Sequence, residues 1–172
     1  MKKEELLGKI EELFYEKTFK EISLDTIAKH LEIKKASLYY YFSSKETLIE
    51  ALIDFSFENY KAFIEKISEG NTRNFVKEFI EFPAKNKNVF SIINQNGYCE
   101  NSDMKKMLKT RQLEIFSIIN SYFFENANFS KEKTFLLLSI MEDISKRKCI
   151  YGECPINTND IVAEIYNTFN IV

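Results

Sequence analysis

The sequence predicts an all-α protein, and two observations carry that prediction. Gly and Pro are scarce, four and two in 172 residues, so little punctuates the chain and long helices are favoured. Apolar side chains recur at helical spacing, and no run of strict alternation is long enough for a sheet. With 45% hydrophobic residues, a chain of this length can bury a proper core.

The chain opens charged and passes straight into an amphipathic helix. Ser23 is a good N-cap for a helix over about residues 24–31, because its hydroxyl can accept from an otherwise unpaired first-turn amide. Asp25 in that turn suits the positive end of the helix dipole. Leu24, Ile27, Ala28 and Leu31 make one apolar face, and the small Ala28 lets a second helix cross closely. Ile33 plugs a tight turn, after which a helix is expected over about 34–41. Leu38 and Phe42 should pack inward against Ile27, Leu31 and Ile33. Lys35, Ala36, Tyr39 and Tyr40 then face outward, and an exposed patch of lysines and tyrosines is costly unless it meets a partner. Two short helices joined by a turn, the second carrying Lys34, Lys35, Ser37, Tyr39 and Tyr40, are a helix-turn-helix. Such residues hold phosphates and touch bases, and an α-helix fits the major groove of DNA.

Beyond this head a long helix is expected over about 44–69, with Leu48, Leu52, Phe55, Tyr60, Phe63 and Ile67 as its stripe and Gly70 as its stop. Asn71 or Thr72 caps a helix to about residue 82, Pro83 marks a break, and a short helix ends near 94. Residues 94–103, NQNGYCENSD, are the clearest loop. Helices over about 103–126, 130–151 and 158–170 complete the chain, giving about nine in all. The last two carry apolar stripes, Leu136, Leu137, Ile140, Met141 and Ile144 on one and Ile161, Val162, Ile165, Tyr166 and Phe169 on the other.

The net charge of −2 is unevenly spread. Between Lys29 and Lys45 stand four lysines and a single acid, Glu32, and a DNA-binding protein needs only such a local basic face. An enzyme is not indicated: there is no Gly-rich phosphate loop, no ligand cluster with metal spacing and no nucleophile–base pair. The only histidine, His30, lies on the first helix of the helix-turn-helix, so neither a cofactor nor a metal is implied. Three cysteines without metal spacing suit a reducing cytoplasm. Cys149 and Cys154 are close enough in sequence to raise an oxidation sensor, although two reduced thiols near a helix end is the simpler alternative. No signal peptide and no membrane-spanning run is visible.

The segment from residue 6 to 49 resembles the DNA-binding head of the tetracycline-repressor (TetR) family of bacterial regulators. The resemblance rests on Ile27-Ala28, on Ile33-Lys34-Lys35-Ala36-Ser37-Leu38-Tyr39-Tyr40-Tyr41-Phe42, and on Ser44-Lys45-Glu46-Thr47-Leu48, with Phe14 and Phe19 as the aromatics ending the first helix. There are two departures. Glu32 stands where the family often has Gly, at a cost of about 1 kcal/mol if the backbone there is left-handed. Lys34 replaces the usual Ser, which weakens the cap of the recognition helix.

The resemblance implies a three-helix head over residues 1–47 and a helical ligand-binding and dimerisation domain over 48–172. It implies DNA contacts at Ser23, Thr26, Lys34, Lys35, Ala36, Ser37, Tyr39, Tyr40 and Lys45, with Ala36 and Tyr40 the choices for thymine methyls. It implies a homodimer through the last two helices and a near-palindromic operator in double-stranded DNA. It also implies a small-molecule effector, here a lipophilic one, in a pocket among Tyr60, Phe63, Phe79, Phe90, Gln112, Phe116 and Phe135. The expected function is a repressor that such a ligand releases, the long fourth helix acting as the lever between the domains. The alternative keeps the head and gives the helical body a protein partner instead.

Overall fold

The computed structural model describes residues 2–15, 17–94, 102–151 and 157–171. Among the described residues every regular element is helical. The order is α1 (Lys3–Glu11) with a 3-10 turn (Glu12–Tyr15), α2 (Leu24–His30), α3 (Lys35–Tyr41), α4 (Lys45–Ser68), α5 (Thr72–Lys85), α6 (Lys87–Ile93), α7 (Ser102–Ala127), α8 (Lys131–Tyr151) and α9 (Thr158–Phe169). The helix starts follow the expected caps: the Asn71 side chain accepts from the Asn74 amide at 2.9 Å and that of Ser130 from the Lys133 amide at 3.2 Å. No helix among the described residues is long and apolar enough to cross a membrane. Cys154 and the side chain of Cys149 lie outside the described residues.

The chain divides into two compact units, Met1–Tyr60 with Asn88–Arg111, and Lys61–Lys87 with Gln112–Val172. The first is built on Leu6, Ile10, Phe14, Ile22, Ile27, Leu38, Leu48 and Leu52, all essentially inaccessible. Phe14 and Phe19 meet edge to face, ring centres 5.3 Å apart. Ser56 of α4 donates to the Glu11 carboxylate of α1 at 2.6 Å, and burial pushes that carboxyl above its ordinary range. Arg111 of α7 holds Asp54 of α4 at 2.6 Å and Glu58 at 3.2 Å.

In the second unit α5 packs on α8 and α9 around Phe75, Val76, Ile80, Phe123, Phe129 and Leu137. Phe75 stacks on Tyr122 at 4.6 Å and Phe129 on Phe169 at 6.3 Å. The Tyr122 hydroxyl donates to the Gly70 carbonyl at 2.9 Å, just past the end of α4, and burial raises its pKa to about 12.

One element differs from expectation. Pro83 does not break the chain; it lies inside α5, which continues to Lys85. A proline in a helix interior lacks the N–H that would reach the carbonyl four residues back, here that of Phe79. The buried Ser145 hydroxyl of α8 donates to that carbonyl at 3.4 Å. The turn that separates α5 from α6 comes three residues later, at Asn86, whose amide bonds the Phe82 carbonyl at 2.8 Å.

Candidate nucleic-acid interface

The head is shaped by its caps. Ser23 has extended backbone and its hydroxyl accepts from the Thr26 amide at 3.1 Å, while the two hydroxyls lie 2.9 Å apart. Helix α2 ends in a left-handed turn: the Glu32 amide bonds the Lys29 carbonyl at 3.2 Å and the Ile33 amide bonds Ala28 at 3.0 Å. That pair of bonds satisfies carbonyls the helix end leaves free, and it requires a positive φ at its centre. Glu32 supplies it, with φ 55°. The position usual for glycine is therefore left-handed here, and the departure read from the sequence carries its cost.

Lys34 is the N-cap of α3 and makes no side-chain cap bond. Its inward face is Leu38, followed by Phe42, both buried, with the Lys3 ammonium 5.1 Å above the Phe42 ring. Leu31 and Ile33, expected beneath them, are half-buried, as is Tyr41. The outward face is Lys34, Lys35, Ala36, Ser37, Tyr39 and Tyr40, all exposed. Tyr40 is 84% exposed and Tyr39 50%, and the Tyr40 ring rests edge-on against Tyr41 at 5.1 Å. A phenol as open as Tyr40 gains nothing from the core and is free to reach a base edge.

Lys45 opens α4 and is half-buried. Ser44 caps that helix, accepting from the Thr47 amide at 3.1 Å while the Thr47 hydroxyl accepts from the Ser44 amide at 3.0 Å. All nine residues expected to contact DNA thus lie on α2 or its N-cap Ser23, on α3, in the turn between the two helices, or at the first residue of α4. His30 is engaged structurally, its Nε2 3.1 Å from the Lys9 carbonyl.

The sequence missed one feature of this surface. Lys35 is not a free cation: its Nζ lies 2.7 Å from Asp25 Oδ2, and that hydrogen bond raises the ammonium above its ordinary pKa. Asp25 had only a helix-dipole role on sequence grounds. The two residues are ten apart across the turn, a separation with no local sequence signal.

The residues expected to line an effector pocket fall in both units. Tyr60 and Phe90 belong to the first unit, and Phe63, Phe79, Gln112, Phe116 and Phe135 to the second. Within the second, Phe63 packs on Phe82 at 4.4 Å, and the buried Phe79 stacks on Phe75 at 6.2 Å. Phe135 is 60% exposed and meets Phe116 edge to face at 6.2 Å. None of them lines the apolar groove between α8 and α9. That groove, about 320 Å³ in volume, is walled by Ile140, Ile144, Ile161, Ile165 and Phe169, with Asp160, Glu164 and Thr168 at its edge.

Residues 3–52 match the family model for "Bacterial regulatory proteins, tetR family". That match lies on the head, which is a tetR-type helix-turn-helix. The head is also similar to the biofilm operon icaADBC HTH-type negative transcriptional regulator IcaR of Staphylococcus aureus. The two are 41% identical over 56 residues, 33% of this chain and 30% of that protein, so the chain spans under a third of the curated relative it matches. The tetR-family fold extends over the whole chain. A TerR/AcrR-family transcriptional regulator from Aquifex aeolicus matches 97% of each chain at 18% identity with a TM-score of 0.74. AibR, solved in complex with isovaleryl coenzyme A and operator DNA, matches 98% of each chain at 15% identity with a TM-score of 0.73. The tetR family and these relatives are transcription regulators, not enzymes.

Proposed function

We propose that this protein is a tetR-family transcriptional repressor whose α3 enters the major groove of a near-palindromic operator. The observation that carries the proposal is the outward face of α3, where Tyr40 stands 84% exposed beside Tyr39 and two lysines. Ser23, Thr26, Lys34, Lys35, Ser37 and Lys45 hold phosphates, while Ala36, Tyr39 and Tyr40 reach base edges. Repression, rather than activation, is supported by the negative regulator that the head resembles.

The protein acts as a homodimer through α8 and α9. Leu136 and Ile140 on the outer side of α8 are 58% and 41% exposed, next to the apolar groove shared with α9. A two-fold pair of heads explains why the operator is an inverted repeat. A small lipophilic effector, taken up among the aromatic side chains around Gln112, releases the DNA because it binds one conformation better than the other. The isovaleryl coenzyme A bound to AibR makes short acyl thioesters the first class to try.

Fluorescence-anisotropy titration against duplexes from the protein's own upstream region, at two salt concentrations, tests the DNA reading. Tyr40→Ala should weaken specific binding by about tenfold or more, as expected for a lost base contact, without changing the melting temperature. If Tyr40→Ala binds as tightly as wild type, α3 is not the recognition helix.

A further inference from the structure

Asp25 stands in the first turn of α2, between Ser23 and Thr26, two residues of the proposed phosphate-binding set. A carboxylate there repels phosphate. Its side chain is 70% exposed and that of Lys35 44%, so the 2.7 Å bond between them is a solvent-screened surface pair of little value to the fold. The pair nevertheless ties the ammonium of one recognition-helix lysine. Lys34, beside it, has no carboxylate within ion-pair distance among the described residues.

We infer that Asp25 is a positioning residue that competes with the DNA backbone for Lys35, restraining affinity for any duplex. This rests on the proposed DNA-binding function. Before Lys35 can neutralise a phosphate it must leave Asp25, and the bare carboxylate then retains a cation near the DNA. Both steps subtract from the counterion release that drives sequence-independent binding. The head consequently gains less from non-specific DNA than its lysine count suggests. A larger share of its binding must then come from base contacts such as those of Tyr40.

The test is a double-mutant cycle of Asp25→Asn and Lys35→Met. Anisotropy is read on an operator duplex and on a scrambled duplex across a salt series. Asp25→Asn should bind both duplexes about three- to tenfold more tightly at low salt, the range expected for one freed surface charge. Its plot of log affinity against log salt should steepen by up to about 0.9, one phosphate's worth. In the Lys35→Met background the same substitution should give a clearly smaller gain, the part due to the bare carboxylate alone. A merely structural role for Asp25 would leave the salt slope unchanged, so an unchanged slope overturns the inference. So does a gain that persists in full without Lys35, which would make Asp25 a direct repeller of phosphate. If wild-type protein binds neither duplex at any salt, the DNA-binding function itself falls and the inference with it. Wild-type binding that Asp25→Asn leaves unchanged rejects the inference alone.

Discussion

Glu32 holds a backbone conformation that disfavours any residue with a Cβ, and it does so to close the turn between α2 and α3. The other non-glycine residues with positive φ among the described residues, Asn128 and Asn170, are the type that tolerates it best after glycine. Glu32→Gly should therefore raise stability by up to about 1 kcal/mol, an increase of about 2–4 °C in melting temperature for a chain of this size. Glu32→Ala, with its Cβ retained, should gain nothing. Thermal unfolding followed by circular dichroism checks both, and equal melting temperatures for the Gly and Ala variants would mean that the turn carries no strain. This position was legible in the sequence, as were the Ser23 cap and the missing cap at Lys34. Each depends on residues within one turn of chain. The Asp25–Lys35 pair was not, because it forms only once α2 and α3 have packed.

At the scale of elements, what the sequence could not show is what one helix lends another. A proline inside a helix costs about 3 kcal/mol when its lost bond goes unanswered, so a break at Pro83 was the natural expectation. The compensating donor, Ser145, lies 66 residues beyond the carbonyl it serves. Ser145→Ala should cost about 1 kcal/mol or somewhat more by stranding the buried Phe79 carbonyl. That cost should shrink on a Pro83→Ala background, where the backbone supplies its own N–H. Urea unfolding of the four proteins measures it, and the same loss with and without Pro83 would show that Ser145 matters for packing alone. The stripes of α8 were legible as apolar but not as to direction. Leu137 and Met141 are buried, while their sequence neighbours Leu136 and Ile140 face outward. The effector residues were the least legible, since a phenylalanine packed in a core and one lining a cavity have the same periodicity.

For the molecule as a whole, reading an inverted repeat requires two copies. Burying an outward leucine and isoleucine beside an apolar groove suits a self-complementary interface around a two-fold axis. Leu136→Glu places like charges against each other across such an axis. It should convert a dimer into a monomer in sedimentation-velocity runs and weaken operator binding sharply while leaving each protomer folded. A Leu136→Glu protein that still sediments as a dimer would move the interface elsewhere. The net charge of −2 is no obstacle to DNA binding, because the cations that matter are gathered on the head. A paired α3 should read an inverted repeat, and selection of bound duplexes from a random-sequence library puts that to the test. The recovered sequences should converge on two mirrored half-sites whose centres lie about one helical turn apart, roughly 34–36 Å, or somewhat more. Sequences that fail to converge, or that converge on a single unsymmetrical site, would contradict it.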